Sequence, residues 1–552
     1  MTLTTVPPAA GSPDEPADRP GATAPGRRRA RGRSAPLLTS VGVVVGALAL
    51  VPLVYLVIRA GDAGPAGVWE IVRQPRTLRL LRDTVGLTVA VTASTIAIAV
   101  PLAWLTVRTD LPARRLLTVL AALPLAIPTY VGGFAFVAFA GPRGTLQSWL
   151  EPLGVDRLPS IYGFWGAWLV LTLFTYPYVL LTVRASLRRM DPTMEEASRT
   201  LGSSAATTFR RITLPQLRPA ITAGGLLVAL YTLSDFGAVS LLRFDSFTRA
   251  IYVSYRASVD RTTSAVLALM LIGLTAVVVA LELRSRGRAS YFRLHAGGSR
   301  RPTTVRLGRW RWPAAAAVVA LVVVALGIPV GVTAMWLVRG LEAGEPLRLT
   351  FELAGNSLWA ATLGTIAVVV AAWPVALLAA RHRTRTSRLV ELACWVGYAL
   401  PGVVVALSLV FLGARVTPAL YQTMAMLVFA YAVLFLPQAL GSMRSTLLQV
   451  NPELEEASRS LGRGPLATFR RVVVPLARPG VLAGGALVFL TIMKELPATL
   501  LLAPTGFRTL ATQVWAATSE AFFGRAAAPA LALILLASVP MVFLVLSEGD
   551  RS

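Results

Sequence analysis

The sequence has 552 residues, of which 55% are hydrophobic and 14% charged, and its formal net charge is +26. Soluble chains carry about 25% charged residues, so this deficit, together with long apolar runs, argues against a soluble enzyme and indicates a membrane protein. The arginines lie mostly between the apolar runs and form no basic groove with interleaved aromatic residues, which argues against nucleic-acid binding.

The chain begins with a tail, residues 1–36, that is rich in proline, alanine and glycine and ends in a run of arginines. Such a composition predicts a disordered basic tail. The apolar stretch that follows, from Leu37 to Ile58, is long enough to cross a bilayer, which takes about 20 residues. We therefore interpret this stretch as an uncleaved membrane anchor and not as a signal peptide.

Twelve apolar segments of spanning length follow one another and fall into two groups of six. The groups are separated by an arginine-rich segment, residues 284–312, which predicts a basic cytoplasmic linker. We therefore expect an all-α polytopic membrane protein with a first half (37–283) and a second half (313–547), each of six helices. The candidate spans are 37–58, 82–107, 115–140, 161–183, 219–242, 263–283, 313–338, 357–380, 389–413, 418–441, 479–503 and 527–547.

Arginine placement predicts the orientation of these spans. When the N-terminus is cytoplasmic, nearly every arginine cluster between spans also falls on the cytoplasmic side, and so does the C-terminus. The exception is the first outer loop, whose arginines recur at near-helical spacing and predict a helix on the outer surface. These arginines are Arg73, Arg76, Arg79 and Arg82.

The strongest signal in the sequence is an internal repeat at an offset of 260 residues. Residues 191–225 read DPTMEEASRTLGSSAATTFRRITLPQLRPAITAGG, and residues 451–485 read NPELEEASRSLGRGPLATFRRVVVPLARPGVLAGG. Without a gap, 18 of the 35 aligned positions are identical. The two halves are therefore duplicated units.

Each copy of the repeat occupies the loop between the fourth and fifth spans of its half, here called the first loop (190–216) and the second loop (450–476). Asp-Pro or Asn-Pro predicts a helix start, and a glycine then predicts a bend before a second short helix. Ordinary connecting helices are the alternative, but the duplication favours a docking role for a partner on the cytoplasmic side. The candidate docking residues are Glu195, Glu196, Ala197, Gly202, Arg210, Arg211, Glu455, Glu456, Ala457, Gly462, Arg470 and Arg471.

The loops carry a resemblance to a known family. Glu196-Ala197-Ser198, then Gly202, then Pro215 resembles the EAA motif of binding-protein-dependent ABC importer permeases, and the second copy departs from it only by valines on an apolar face. The resemblance covers both halves and implies the type I permease fold of these importers. It also implies that each loop is a coupling helix seated on an ATP-hydrolysing subunit, and that the chain lies in the bacterial cytoplasmic membrane and receives cargo from an extracytoplasmic binding protein.

The chain contains no nucleotide site of its own. A phosphate-binding P-loop requires a lysine, and the chain has a single lysine, Lys494, which is followed by Glu495. ATP and magnesium are therefore expected on a separate ATPase, and two loops predict two copies of it. Cys394, His295 and His382 do not cluster at metal-ligand spacing, so we expect no bound cofactor or resident metal.

Three charged residues lie within predicted spans, where ionisable groups usually mark a pathway or a partner. Asp235 of the fifth span corresponds in the repeat to Glu495 of the eleventh, and Lys494 corresponds to Ser234. One interpretation is a pair of carboxylates, near the middle of the membrane, that line or gate a cation path. The other is a structural ion pair in which Lys494 neutralises one of the carboxylates.

The segments around these charges indicate the cargo by resemblance. DFGAVSLL in the first half and KELPATLLLAPTGFRTLATQVW in the second resemble the ferric-iron permeases of this superfamily. Fe(III) is a hard cation that prefers oxygen ligands, so a transient path past Asp235 and Glu495 is consistent with iron. Thiamine, phosphonate, polyamine and sulfate remain alternative cargoes, and an ion-coupled secondary transporter is a further alternative, against which the duplicated loops argue.

Overall fold

The computed structural model describes residues 36–142, 144–190, 193–257, 262–285, 304–382 and 384–547. This part of the chain is helical, and its β contacts are limited to one isolated bridge. The tail predicted to be disordered, the middle of the predicted linker and the last five residues lie outside the described residues. The helices are α1 (Pro36–Gly61), α2 (Gly64–Arg73), α3 (Pro75–Arg108), α4 (Arg114–Ala122), α5 (Thr129–Ala140), α6 (Thr145–Leu150), α7 (Phe164–Arg189), α8 (Thr193–Thr200), α9 (Ala205–Thr208), α10 (Leu214–Ser234), α11 (Gly237–Leu241), α12 (Phe247–Ala257), α13 (Thr262–Ser285), α14 (Arg311–Val322), α15 (Ile328–Glu342), α16 (Arg348–Arg381), α17 (Arg385–Ala399), α18 (Gly402–Arg415), α19 (Met424–Gln449), α20 (Pro452–Ser460), α21 (Pro465–Thr468), α22 (Val474–Met493), α23 (Pro497–Leu502), α24 (Leu510–Ser519) and α25 (Phe523–Ser547).

Most of these helices are built to cross a membrane. Within the described ranges, nine are long and apolar enough to span, and two sharply bent helix pairs raise the number to eleven. A shorter apolar stretch, Phe523–Val539, lies in α25 at the position of the twelfth predicted span. The expectation of an all-α polytopic protein with two sets of spans is confirmed.

Two predicted spans, 115–140 and 389–413, are wrong as continuous helices. The segment Arg114–Ala126, which contains α4, is bent by 97° against the segment Thr129–Leu153, which begins with α5, and α17 is bent by 106° against α18. Pro128 and Pro401 stand at these bends, and a proline lacks the N–H for the helix and forces the preceding residue out of the helical region. That preceding residue is extended in both halves, with ψ of 121° and 115°.

The predicted spans 219–242 and 479–503 are also interrupted. Both α10 and α22 stop before the predicted end, and the short helices α11 and α23 follow after a break. Asp235 and Glu495 lie in these breaks, and each carboxylate accepts a hydrogen bond from a backbone N–H of the following short helix. A side chain that satisfies such free N–H groups stabilises the start of a helix, so each carboxylate supports the short helix that follows the break.

The first span of each half packs against the other half. Helix α1 contacts α17 and α18 as well as α13, and Ser408 donates a hydrogen bond to the carbonyl of Pro52 (2.6 Å) while Tyr55 donates to that of Phe411 (3.2 Å). In the same way α14 and α15 contact α4 and α5 as well as α25. The halves are thus interlocked by an exchange of spans, which couples their movements.

The arginines of the first predicted outer loop do not lie on a single surface helix, as the sequence had indicated. The surface helix α2 ends at Arg73, and α3 begins at Pro75. Arg76, Arg79 and Arg82 are therefore exposed positions in the first turns of a spanning helix. Arg73 instead stacks over the ring of Trp69, with its guanidinium carbon 4.3 Å from the ring centre.

Candidate functional site

The two loops fold alike, as a short helix, a glycine turn and a second short helix that continues into the next span. In the first loop these parts are α8, Gly202 and α9, and in the second they are α20, Gly462 and α21. A π-helical turn joins each second helix to its span, over Phe209–Thr213 in one half and Phe469–Val473 in the other. π turns inside helices frequently lie at functional sites.

The glycine of each loop is required by the backbone conformation. Gly202 has φ +84° and Gly462 has φ +80°, values that side-chain-bearing residues rarely adopt. Each N–H bonds to the carbonyl three residues earlier (3.0 Å), and the next residue bonds to the carbonyl five residues earlier. This is the Schellman arrangement that ends a helix, and a methyl group at either glycine would meet no atom within 4 Å. Backbone strain, and not space, therefore selects glycine here.

A hydroxyl pair holds the two short helices of each loop together. Ser198 bonds to Thr208 with a distance of 3.1 Å between their oxygens, and Ser458 bonds to Thr468 at 3.0 Å. Each pair joins the first short helix of its loop to the second.

The glutamate directly before each motif, Glu195 or Glu455, is directed towards the second span of its own half. Glu455 accepts a hydrogen bond from Nε of Arg381 (2.9 Å), the last residue of α16. Its carboxylate also lies 2.8 Å from Nη2 of the same arginine. Glu195 lies 3.6 Å from Nη2 of Arg108, the last residue of α3, and accepts a hydrogen bond from Thr213 (2.8 Å). These two glutamates, which the sequence proposed as docking residues, therefore link the loops to the membrane helices within the chain.

An aromatic pair makes a second link between each loop and the second span. The ring of Phe209 meets Trp104 of α3 edge-on at 6.0 Å, and Phe469 meets Trp373 of α16 at 5.6 Å. Edge-to-face pairs contribute about 0.5–1.5 kcal/mol beyond the burial of their area. The two links together attach each loop to a spanning helix at two points.

Beside the first loop, the end of the linker is held against the chain. The N–H of Val305 donates to the carbonyl of Arg108 (2.8 Å), and the N–H of Leu307 donates to the carboxylate of Asp110 (2.8 Å). The described end of the linker thus contacts the segment that carries the arginine partner of Glu195.

The outward surface of each loop carries an exposed leucine that sequence reasoning missed. Leu201 is 86% exposed and Leu461 is 79% exposed, although both are fully apolar. Each directly precedes the loop glycine, and its recurrence in the repeat was the available signal. Single exposed apolar side chains are common on protein surfaces, so what distinguishes these two leucines is that they recur at the same position of both loops. The predicted docking residues that lie exposed beside them are Ala197, Gly202, Arg210, Arg211, Glu456, Ala457, Gly462, Arg470 and Arg471, and Glu196 is half-buried.

The three charged residues of the fifth and eleventh spans meet the bends of the third and ninth spans. Asp235 accepts a hydrogen bond from the hydroxyl of Thr129, the first residue of α5. Glu495 lies against Gly402, the first residue of α18, where an added methyl carbon would come within 2.7 Å of the carboxylate. The repeat therefore places each carboxylate at the junction of two broken spans in its own half.

Lys494 makes no ion pair with Asp235 or Glu495, although all three residues are described. Its ammonium group instead donates to the carbonyl of Leu125, which belongs to the third span of the other half (3.3 Å). The structural ion pair that the sequence left open is therefore not formed, and Lys494 joins the two halves near the carboxylates.

Within the described ranges no group of three or more histidine, cysteine, aspartate or glutamate side chains could hold a metal ion. Cys394 is buried among apolar residues and is unpaired.

Comparison with known families matches both halves. The model of the family described as "Binding-protein-dependent transport system inner membrane component" matches residues 95–288 and 372–549. The Fe(3+)-transport system permease protein FbpB 2 of Haemophilus influenzae is 33% identical over 513 residues, which are 92% of this chain and 97% of that protein.

Other relatives cover less of the chain or are more distant. The sulfate transport system permease protein CysW of Escherichia coli is 30% identical over 207 residues, which are 37% of this chain and 70% of that protein. A probable ABC transporter permease, y4fN of Sinorhizobium fredii, is 25% identical over 466 residues, which are 78% of this chain and 80% of that protein. Similarity along both halves thus extends to a ferric-iron permease, and similarity over one stretch extends to a sulfate permease.

Proposed function

The chain belongs to the binding-protein-dependent transport system inner membrane components, and from this premise we propose that it is a membrane subunit of an ATP-driven importer of ferric iron. Two copies of a separate ATPase dock on the first and second loops, and a binding protein delivers cargo on the opposite side. The observation that carries the proposal is the pair of matched loops, each with an exposed leucine and a double link to the second span of its half.

The links suggest how ATP hydrolysis is converted into movement. An ATPase that pulls on Leu201 or Leu461 displaces a loop whose helices are held by a hydroxyl pair and a glycine turn. The displacement passes through the arginine and tryptophan contacts to α3 and α16. Because the first spans are exchanged between the halves, a movement of one half is transmitted to the other, and the two halves rotate against each other as alternating access requires.

Ferric iron is proposed as the cargo because the ferric-iron permease from Haemophilus influenzae is similar over nearly its whole length, including both halves. The carboxylates of Asp235 and Glu495 at the broken spans also suit a hard cation. The motion opens and closes a path that passes these residues.

Sulfate is the second candidate cargo, and one observation favours it. The ammonium group of Lys494 lies at the same junction and would attract an oxyanion, and the sulfate permease CysW is 30% identical over part of the chain. The two carboxylates weigh against sulfate because they would repel it at short range.

The proposed orientation places the N-terminus, the C-terminus and both loops in the cytoplasm of a bacterium, with the chain in its cytoplasmic membrane. Arginine placement supports this orientation through the positive-inside rule. The loops then face the compartment that contains ATP.

The proposal is tested by expressing the chain with its ATPase and binding protein in bacteria that lack their own ferric uptake. Cells are supplied in parallel with radiolabelled ferric iron, sulfate, thiamine, a phosphonate or a polyamine. Iron uptake that requires all three components supports the proposal. Uptake of another compound alone would replace the cargo, and uptake without the ATPase would refute the importer.

The complex purified from the same cells also gives the number of ATPase chains bound to each permease chain. Native mass spectrometry of the purified complex is expected to show two ATPase chains for each permease chain. A stable complex with one ATPase, or none, would contradict docking at both loops.

A further inference from the structure

A cavity opens in the second half at the end of the spans opposite the two loops, here called the outer cavity. It has a volume of about 330 Å³ and lies between the end of α15, the start of α16 and the first turns of α24 and α25. Leucine, proline, glycine and alanine form most of its wall. Its polar side chains are Glu345, Thr350, Arg508, Gln513 and Arg525.

Helix α16 places the outer cavity at the depth of lipid headgroups. Leu353, in the first turns of α16, lines the cavity, whereas Arg381 at the other end of the helix binds Glu455 of the second loop. The 28 residues that separate Leu353 from Arg381 span about 42 Å at a rise of about 1.5 Å per residue. A bilayer with both headgroup layers is about 40–45 Å thick. With the second loop at the inner membrane surface, the cavity therefore lies in the outer headgroup layer.

One buried polar atom in the outer cavity has no partner. Gln513 of α24 lines the cavity and is 9% exposed, and its Oε1 forms no hydrogen bond with the described residues. A buried polar atom without a partner is unfavourable, and an amide oxygen accepts only from an N–H or O–H group. The cavity therefore favours a ligand that brings a hydrogen-bond donor to Gln513.

The segment before α24 fixes a positive charge at the mouth of the outer cavity. Arg508 lines the cavity, is exposed, and forms no ion pair with the described residues. Asn356 of α16 donates to the carbonyl of Arg508 (2.9 Å), and the N–H of Leu510 donates to the hydroxyl of Ser357 (2.9 Å). These two hydrogen bonds hold the backbone on both sides of the Arg508–Leu510 turn against α16, so the guanidinium stays at the cavity.

The second arginine of the outer cavity is already paired. Arg525 of α25 donates to Glu345, in the loop after α15 (2.7 Å). Beside this pair the backbones of α15 and α25 touch, since a methyl group on Gly340 would come within 3.0 Å of the carbonyl oxygen of Gly524. Arg508 is then the charge left without a counter-ion, and the lining favours an anion.

The first half has different residues at the corresponding place. The first residue of α12 donates its N–H to the hydroxyl of Thr84 in α3 (3.2 Å), as the first residue of α24 donates to α16. Matching these two helix starts puts Asp245 at the position of Arg508. It puts Ala250 at the position of Gln513. At these two positions the first half has neither the positive charge nor the amide, so the site belongs to the second half.

Exposed apolar side chains extend from the outer cavity along the membrane-spanning helices. Leu341 and Leu347 line the cavity and are exposed, and Phe351 is exposed on the next turn of α16. Acyl chains would cover these side chains. An acidic side chain of a protein partner would suit Arg508, but an ionised carboxylate has no donor for Gln513. A phospholipid supplies the anion, the donor and the apolar chains together.

We propose that the outer cavity binds an anionic phospholipid whose headgroup carries a hydroxyl, as that of phosphatidylglycerol does. The phosphate pairs with Arg508, and the headgroup hydroxyl donates to Oε1 of Gln513. The acyl chains lie over the exposed leucines and Phe351. The lipid joins α15 to α24 and α25, and because α15 also packs against α5, it supports the exchanged span where the halves meet. The site is independent of the cargo that the permease carries.

The experiment is native mass spectrometry of the complete permease with its ATPase, purified in detergent and titrated with defined lipids. Phosphatidylglycerol is expected to bind the wild type, and Arg508→Gln should weaken its apparent affinity at least tenfold. Phosphatidylmethanol is an anionic lipid whose headgroup has no hydroxyl, so it should bind the wild type more weakly than phosphatidylglycerol. Gln513→Leu should remove this difference between the two lipids. It replaces an unpaired buried amide by an apolar side chain, so it should fold normally, which thermal melting verifies.

Arg415→Gln is the matched control, because Arg415 is an exposed arginine at the outer end of α18 that does not line the cavity. It should bind phosphatidylglycerol as the wild type does. Free glycerol 3-phosphate distinguishes a soluble ligand from a lipid. It should bind at least tenfold more weakly than phosphatidylglycerol, because it has no acyl chains.

Three results would overturn the site. The first is phosphatidylglycerol affinity that is unchanged in Arg508→Gln or equally weakened in Arg415→Gln. The second is glycerol 3-phosphate that binds as tightly as the lipid, which would indicate a soluble ligand. The third is Arg508→Gln that loses the binding protein but keeps the lipid, which would assign the cavity to a protein contact. None of these measurements uses iron, so a failure of iron uptake would refute the proposed cargo and leave this site standing.

Discussion

The loops of the two halves are near copies of one another, whereas the helix breaks at Asp235 and Glu495 have diverged. Both loops keep the same glycine turn, hydroxyl pair, acidic link and aromatic link. At the breaks, one half has a serine and a fully bonded aspartate, and the other has Lys494 and a half-bonded glutamate. Under the proposed function, the loops stay alike because two identical partners bind them, and the breaks diverge because a single cargo passes between them.

The largest expected effect tests whether both loops bind the same partner. Leu201→Asp combined with Leu461→Asp should reduce ATPase association at least tenfold, about 1.4 kcal/mol, because a carboxylate buried in an apolar interface is unfavourable. Association is measured by co-purification and by ATP-dependent uptake. Each single variant should lose about half of this binding energy if the loops are equivalent.

Leu153→Asp is the control for this pair, since Leu153 is 76% exposed but lies outside both loops. It should leave ATPase association unchanged. Normal association of the double variant would mean that the exposed leucines do not form the docking surface.

The ion pairs Arg381–Glu455 and Arg108–Glu195 are expected to stabilise their loops by different amounts, which can be tested. Arg381→Gln should destabilise the second loop by about 3 kcal/mol, because it removes both close contacts of the largely buried Glu455 and leaves it only the more distant Arg459, at 3.5 Å. Arg108→Gln should cost less, because Glu195 keeps its hydrogen bond from Thr213. Hydrogen exchange of the loop amides measures the effect in each half.

Arg381→Glu combined with Glu455→Arg sharpens this test, because the reversed pair restores attraction between opposite charges. Partial recovery of exchange protection is expected. Equal protection in Arg381→Gln and Arg108→Gln would show that the two links do not differ in strength.

The glycine turns should respond alike in both halves. Gly202→Ala and Gly462→Ala each force a side-chain-bearing residue into a left-handed conformation, at a cost of about 1–2 kcal/mol. Because a methyl group meets no neighbouring atom there, the loss should appear in loop stability and ATP-driven uptake while membrane insertion is unchanged. Gly86→Ala, in a helix and with open space around it, should be neutral or stabilising, and a similar loss there would contradict the argument from strain.

The smallest expected effect concerns the aromatic links. Trp104→Leu and Trp373→Leu should each lower loop stability by about 1 kcal/mol, the usual strength of an edge-to-face pair. Hydrogen exchange of the π turns is the measurement. A loss of protection in only one half would mean that the aromatic contact stabilises one loop and not the other.

Much of the fold could be predicted because apolar length and arginine placement follow directly from the bilayer. The repeat also located the loops, since identical residues at a fixed offset are visible without a structure. The bends at Pro128 and Pro401 were missed because proline is tolerated within spanning helices when neighbours satisfy the freed groups. Composition alone does not distinguish a tolerated proline from one that breaks the span.

The positions of the two loops were predictable from the repeat, but the roles of individual residues were not, because those roles depend on partners that are distant in sequence. Glu195 and Glu196 are adjacent in sequence, yet only the three-dimensional structure separates the one that binds Arg108 from the one beside it. Leu201 and Leu461 were overlooked because an apolar residue in a loop is ordinarily expected to be buried.

The central claim is that ATP hydrolysis on a separate ATPase drives ferric iron through this chain. The most direct measurement is uptake of radiolabelled ferric iron into liposomes that contain the permease with its ATPase facing the lumen. The binding protein is added outside, and ATP is either enclosed in the lumen or left out. Accumulation that requires ATP, the binding protein and intact leucines in both loops is the predicted result. Accumulation without ATP, or none with every component present, would contradict the account.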